Sequence, residues 1–341
     1  MELRLIEPDD EDGIAEFAAV LQASDKELWP DLCGYTAVDL RAFARFKGKS
    51  RRWELLAARE PGGPTLGVGL MEFPLLENLH STEITLAVHP AHRRRGVGTA
   101  IVEKMAERAA VDGRRTLNTI VDVPIALDDH GSQHFAPRVG FEATLTGHQR
   151  ALHVPMEGLR RDELREVVVS ARDAELYRIS AFVAPWPKGI LDDQCDLLRV
   201  MSTDEPAGDG ERQAEHWDEA RVREHDELDA AREVTRLASV AQHVPSGRLV
   251  AMTELLIAED APEQAWQMIT VVHPDHRGHR LGLAIKLANL DLLAEVRPAV
   301  RVIITGNAAV NAPMIGVNDM MGFEIISEGA FWQKHLAAPI R

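Results

Sequence analysis

Apolar and polar positions alternate in step over several short stretches of the chain and fall at helical spacing over others. Residues 2–6 alternate as a first strand, and Glu7-Pro8-Asp9-Asp10 turns the chain into a helix marked by Ile14, Phe17, Ala18 and Leu21 that ends before Trp29-Pro30. Leu40 to Phe46 is a second short helix. Trp53–Ala58 and Leu66–Glu72 are strands flanking Pro61-Gly62-Gly63-Pro64, a hairpin signal, and Ser81–Val88 is the next strand. A helix from Val97 to Val111 leads through Asp112-Gly113 into a β-branched strand, Thr116–Val121, and a last strand is expected near Ala143–Val154. The strand, helix, strand order requires a parallel crossover.

After a charged stretch the pattern restarts near Tyr177. Ile179–Val183 reads as a strand and Ile190–Met201 as a helix. The charged span from Asp204 to Arg236 has helical periodicity at Trp217, Ala220, Val222 and Leu228, preceded by a loop at Pro206 and Gly208-Asp209-Gly210. It reads as a solvated helix or, functionally, as a wall over a substrate. Val88 recurs at Val272 after 184 positions, Gly140-Phe141-Glu142 at Gly322-Phe323-Glu324 after 182, and Glu72 at Glu254 after 182. Anchors moving together in separate segments mark an internal repeat. Two domains are expected, 1–156 and 177–341, joined over 157–176 by a charged stretch that reads as a linker or short helix.

The repeat centres on a strand-to-helix turn. Val88-His89-Pro90-Ala91-His92-Arg93-Arg94-Arg95-Gly96-Val97-Gly98-Thr99 returns as Val272-His273-Pro274-Asp275-His276-Arg277-Gly278-His279-Arg280-Leu281-Gly282-Leu283. Small residues there admit a ligand close to the backbone, and the first helical N–H groups, at the positive end of the dipole, point at it. With arginines alongside, the natural guest is a phosphate or pyrophosphate. The turn lacks the Gly-Lys-Ser/Thr of a Walker loop and the third glycine of a dinucleotide fingerprint.

Arg93-x-x-Gly96-x-Gly98 after this strand end resembles the acetyl-CoA signature of the GNAT acyltransferase superfamily, and the second copy resembles it with Arg280 in place of a glycine. The resemblance implies a mixed α/β (α+β) fold of two tandem GNAT domains, each a twisted mixed sheet flanked by helices, distantly like the tandem mycothiol-synthase-like enzymes in layout. It implies acetyl-CoA as cofactor, no metal, and direct acetyl transfer to a small-molecule amine in a ternary complex. It implies cofactor contacts at Val88, Arg93, Arg94, Arg95, Gly96, Val97, Gly98 and Thr99, and at Val272, Arg277, Gly278, His279, Arg280, Leu281, Gly282 and Leu283. An asparagine after the second parallel strand contacts the cofactor arm in this superfamily. Asn307 and Asn311 stand there, four apart and on one face if helical. The first half has Asp122, Asp128 and Ser132 in that stretch.

The amine must be neutral to attack, which calls for a general base. Glu83 occupies about the place of the usual GNAT carboxylate, and the 184 spacing puts Gln267 there in the second half. Glu72 and Glu254, each set among apolar strand neighbours, are alternatives, with an outward-facing surface pair as the competing reading. The tyrosine that acts as acid in this superfamily, four residues before Gly-Phe, is replaced by Ala136 and Asn318. Three arrangements fit: both halves active, one active, or a catalytically degenerate CoA-binding protein with a regulatory or structural role. The polar groups near Asn307 and the more acidic surroundings favour the second half, with Glu254 its candidate base.

Composition narrows the partners. Of the 341 residues 45% are hydrophobic and 27% charged, and no apolar run approaches the roughly 18 residues of a membrane span. The N-terminus lacks a secretory pattern, so a cytoplasmic location is expected. The net charge of −16, about −5 over residues 1–160 and −11 over the rest, opposes nucleic-acid and anionic-membrane binding and suits a cationic amine. Cys33 and Cys195 suggest neither a disulfide framework nor a zinc site and read as buried structural thiols. Assembly is expected to be monomeric or homodimeric.

Overall fold

The computed structural model describes residues 1–127, 130–204 and 213–337. The chain forms two compact units, one of residues 1–147 with the stretch from Ser327 onward, the other of residues 148–204 and 213–326.

In the first unit β1 (Glu2–Leu5) is followed by α1 (Glu11–Leu28) and α2 (Ala37–Arg45), then by β2 (Arg51–Arg59), β3 (Thr65–Pro74) and β4 (Ser81–Val88). Next come α3 (Val97–Val111), β5 (Thr116–Pro124), α4 (Gly131–Arg138) and the start of β6 (Glu142–His153). Asp10 caps α1 by accepting from Gly13 N at 2.8 Å, and Thr36 and Asp39 cap α2 reciprocally. The sheet runs β1-β2-β3-β4-β5, antiparallel except for β4 with β5. Ile101, Met105 and Ala109 on one face of α3 pack on Leu56, Met71, Ile84 and Leu117 of the sheet.

The second unit repeats this plan. It contains α5 (Gly158–Val169), β7 (Tyr177–Val183), α6 (Leu191–Asp204), α7 (Glu219–Ala231), β8 (Val234–His243), β9 (Leu249–Ala258), β10 (Gln264–Val272), α8 (Leu281–Val296), β11 (Val302–Ala308) and α9 (Ala312–Met321). β10 and β11 are its parallel pair.

Three expectations change. The strand beside β5 is not β6 but the final strand of the chain, β12 (Glu324–His335), antiparallel from Ser327↔Pro124 to His335↔Thr116. In the second unit, residues 148–153 of β6 lie next to β11. Each unit therefore takes its last strand from the other half of the sequence. The stretch expected as a linker or short helix does contain a helix, α5, but it belongs to the second unit, where it buries Leu164 in the core beside Leu287 and Leu290. The charged span is not one solvated helix: α7 stops at Ala231, Arg236 lies in β8, and Trp217, Val222 and Leu228 are buried. The loop expected at Pro206 and Gly208–Gly210 lies outside the described residues. Cys195 is buried and Cys33 only half-buried.

Candidate active site

Both parallel pairs part at the same point. β4 and β5 are paired only over Ser81↔Thr116, Thr82↔Leu117 and Glu83↔Asn118, and β10 and β11 only over Gln264↔Val302, Ala265↔Ile303 and Trp266↔Ile304. Past the last rung a threonine hydroxyl donates to the facing strand: Thr119 Oγ1 to Ile84 O at 2.9 Å, and Thr305 Oγ1 to Gln267 O at 3.2 Å. Beyond it each pair opens as a wedge.

This matching corrects the equivalences counted from sequence. Two residues of β10, Met268 and Ile269, lie opposite the single Glu254 of β9, a bulge that β4 lacks. The extra residue shifts the count by one, so Trp266 stands where Glu83 stands, and Gln267 matches Ile84. Likewise Val88↔Gly67 and Val272↔Ala251 pair at the mouth of each wedge, which aligns Glu254 with Leu70 rather than with Glu72. Gln267 braces the bulge, its Nε2 donating to Glu254 O at 2.8 Å and to Thr253 Oγ1 at 2.9 Å.

The two turns share one construction. Arg93 Nε donates to Val88 O and Arg277 Nε to Val272 O, both at 3.2 Å. The same guanidinium groups then reach the last turn of a helix, Arg93 to Glu27 at 2.7 Å and Ser24 at 3.2 Å, and Arg277 to Asp204. Both side chains, expected at the cofactor, tie strand end to helix. Each turn has two left-handed residues, and the glycine changes place between copies: Arg94 (φ 62°) and Gly96 (φ 80°) in the first, Gly278 (φ 84°) and Arg280 (φ 57°) in the second. Arg280 therefore adopts the conformation the signature reserves for glycine, at a cost of about 1 kcal/mol.

Gly96 and Arg280 are the N-caps of α3 and α8, and neither helix has a side-chain cap, unlike α1, α2, α7 and α9. The first-turn residues Val97, Gly98 and Thr99, and Leu281, Gly282 and Leu283, thus bring orphan N–H donors to each turn. Val97, Leu281 and Leu283 are buried, so their side chains anchor the helix start while only their backbone faces the turn. Arg94 and Arg95 are exposed. His279 Nδ1 lies 2.9 Å from Arg172 O, and Tyr177 Oη lies 3.0 Å from His276 Nδ1. Burial, with His243 and His273 nearby, lowers the pKa of His276.

The candidate bases differ in access. Glu83 is exposed at the last rung of the first wedge, where Asn118 Nδ2 donates to its Oε1 at 2.9 Å and Gln333 Nε2 of β12 donates to Asn118 Oδ1 at 3.1 Å. Glu72, its cross-strand neighbour, accepts from Arg51 at 2.9 Å and Trp53 Nε1 at 3.2 Å. Glu254 is only 3% exposed. Trp186 Nε1 donates to its Oε1 at 2.9 Å, and Arg236 Nη1 lies 3.4 Å from both carboxylate oxygens. Burial opposes the charge on Arg236, but Glu254 and Asp229 outweigh it and its pKa is raised.

The remaining candidates separate. Asn307 is in β11 and Asn311 is the N-cap of α9, accepting from Met314 N at 3.3 Å, so the two do not share a helical face. Asp122 on β5 lies 3.5 Å from Ser327 Oγ, Ser132 is bonded to the His130 cap, and Asp128 is outside the described residues. Among the described residues no three His, Cys, Asp or Glu side chains are disposed to hold a metal, and no helix is long and apolar enough to cross a membrane.

Asn118, Gln333, Lys286 and the bulge were not anticipated. Lys286 and Asn289 left a signal, as isolated polar residues in the otherwise apolar run from Leu281 to Leu290.

The profile of the Acetyltransferase (GNAT) family matches residues 33–141. No curated protein matches by sequence. In three dimensions the chain is similar to a tandem GNAT protein from the clavulanic acid biosynthesis pathway, with TM-score 0.81, 25% identity and 100% of this chain and 99% of that one covered. A GCN5-related N-acetyltransferase from Sphaerobacter thermophilus gives 0.61 at 16% identity, covering 99% and 96%. The glucosamine N-acetyltransferase region of a fungal multi-domain GH3 β-N-acetylglucosaminidase gives 0.64 at 14%, covering 98% of this chain and 38% of that one. A repeated wedge at the foot of an uncapped helix, the family match over the first copy and the likeness along the whole length agree: residues 33–141 match the GNAT acetyltransferase family, and the chain as a whole has the fold of a tandem GNAT protein.

Proposed function

We propose that the chain transfers an acetyl group from acetyl-CoA to a small-molecule amine directly, within a ternary complex, and that the first unit carries the transfer. The observation behind this reading is that strand pairing stops at Glu83, leaving an exposed carboxylate at the foot of a wedge, on the strand that runs on into the uncapped helix α3.

The residues present fit acyl-CoA. A Cβ placed on Gly96 or Gly278 would meet nothing within 4 Å, so the turns are open to an anion beside the first-turn N–H groups of α3 and α8. When bound, acetyl-CoA supplies an activated thioester. The chain holds it by the turn and by the strand edge past the last rung, and brings the amine alongside. Glu83, oriented by the Gln333–Asn118 chain, accepts the amine's proton directly or through one water.

The second unit is read as a CoA-binding unit without this chemistry. Trp266 occupies the place of Glu83, and Glu254 is walled in by Trp186 and Arg236. This reverses the preference for the second half drawn from the sequence, and makes Glu254 a buried anchor.

Calorimetry tests the cofactor assignment. Acetyl-CoA is expected to bind twice per chain, falling to once in Gly98→Glu or Gly282→Glu, with no comparable binding of ATP or NAD. A stoichiometry of zero overturns the reading.

A further inference from the structure

The helix that opens the second turn buries a lysine. Lys286 is 2% exposed, and its Nζ lies 3.0 Å from Asn318 Oδ1 and 5.3 Å from the centre of the Phe323 ring. Asn318, wholly buried at the start of the last turn of α9, donates from Nδ2 to Asn307 Oδ1 at 2.6 Å. Asn307 is two residues past Thr305, whose hydroxyl marks the opening of the wedge. In the first unit the matching positions are Val102 and Ala136, both buried in an apolar core. The fold is therefore complete without this polar chain, and a buried amine is retained in the second unit at a cost in desolvation. Burial alone lowers its pKa to about 7.

The chain has a direction set by chemistry. As the ammonium, its form below about pH 7, Lys286 only donates, so Asn318 turns its oxygen to Lys286 and its NH2 to Asn307. Asn307 has then committed its oxygen, and the group it has left for a ligand is a donor. A carbonyl oxygen, which only accepts, is the complement.

We propose that Lys286 is a positioning residue that acts through Asn318 to make Asn307 a hydrogen-bond donor to a carbonyl of the acyl-CoA arm in the second unit. This rests on reading the second turn as an acyl-CoA site. The critical variant is Asn318→Asp: a carboxylate still accepts from Lys286 but also accepts from Asn307 NH2, so Asn307 must offer its oxygen instead.

The full-length chain carrying Gly98→Glu, in which the second turn is the one left open, is titrated at about pH 6, where Lys286 is an ammonium, with acetyl-CoA, CoA and adenosine 3′,5′-bisphosphate, which has no arm. Asn318→Asp is expected to weaken acetyl-CoA about tenfold, some 1.4 kcal/mol, and to leave the bisphosphate within about twofold. An equal loss for CoA assigns the contact to an arm amide carbonyl, and a loss confined to acetyl-CoA assigns it to the thioester; either supports the relay. Lys286→Met, which keeps the volume and removes the donor, is expected to lose about threefold on acetyl-CoA and serves if Asn318→Asp does not fold. Losses shared equally by acetyl-CoA and the bisphosphate, or no loss on either, overturn the relay alone. No binding of any of the three by the parent chain overturns the CoA reading of the second unit and the relay with it.

Discussion

The two wedges share a frame and differ in what stands at the last rung. In the first unit a chain of amides, Gln333 to Asn118, ends on an exposed carboxylate, Glu83. In the second a chain that begins at a buried amine, Lys286 to Asn318, ends on an amide, Asn307, and the rung itself is Trp266. On the proposed reading, the rung residue and the polar chain beside it separate a unit that takes a proton from one that holds an acyl carbonyl. On the same reading the frame tolerates this exchange, because a turn that binds through backbone N–H groups uses donors that any first-turn sequence supplies.

Two substitutions sharpen the contrast, the larger expected effect first. Gln267→Ile gives the second unit the residue that stands at the matching position of the first, Ile84. It removes the donors that brace the bulge and leaves buried acceptors unpaired, for a loss of about 3 kcal/mol in urea unfolding. Retention of full stability would show that the bulge does not depend on Gln267.

Lys286→Met makes the second core as apolar as the first. Burial lowers Lys286 to about 7, whereas the unfolded chain titrates near its ordinary value of about 10.4. Between these values the unfolded chain binds a proton the folded chain does not, so wild-type stability from this group rises with pH across the window. Below about pH 7 the folded chain carries a buried ammonium and the penalty is complete. The variant is therefore expected to be more stable than wild type by on the order of 2 kcal/mol at pH 6, with the gain shrinking towards pH 10. A gain that is constant with pH contradicts the burial account.

The parts of this contrast that were legible in the sequence are those fixed by local pattern. The turn at Val88–Thr99, its return at Val272–Leu283, and the helices α3 and α8 follow from residue types and periodicity alone. Period-two alternation fixes which face of a strand is buried but not which strand lies beside it. The exchange of β6 and β12 was hidden for that reason. The bulge was hidden because one added residue leaves the apolar pattern nearly intact while moving Trp266 into the place that counting gave to Gln267. Arg236 was taken into a helix by the charged run around it, yet it lies in β8 between Asp229 and Glu254, and only that tertiary neighbourhood makes Glu254 an anchor. The relay from Lys286 joins residues 32 and 11 positions apart, and local pattern carries no trace of such a link.

The claim that the first unit carries the transfer is tested most directly by acetyl transfer to an accepted amine in Glu83→Gln and Glu254→Gln, with acetyl-CoA affinity measured on the same samples. Glu83→Gln is expected to lower kcat by about 100-fold or more with acetyl-CoA affinity unchanged, whereas Glu254→Gln reduces stability and leaves the rate of the folded fraction near wild type. Turnover that survives Glu83→Gln and is abolished by Glu254→Gln in a folded, CoA-binding chain would contradict the account and return catalysis to the second unit.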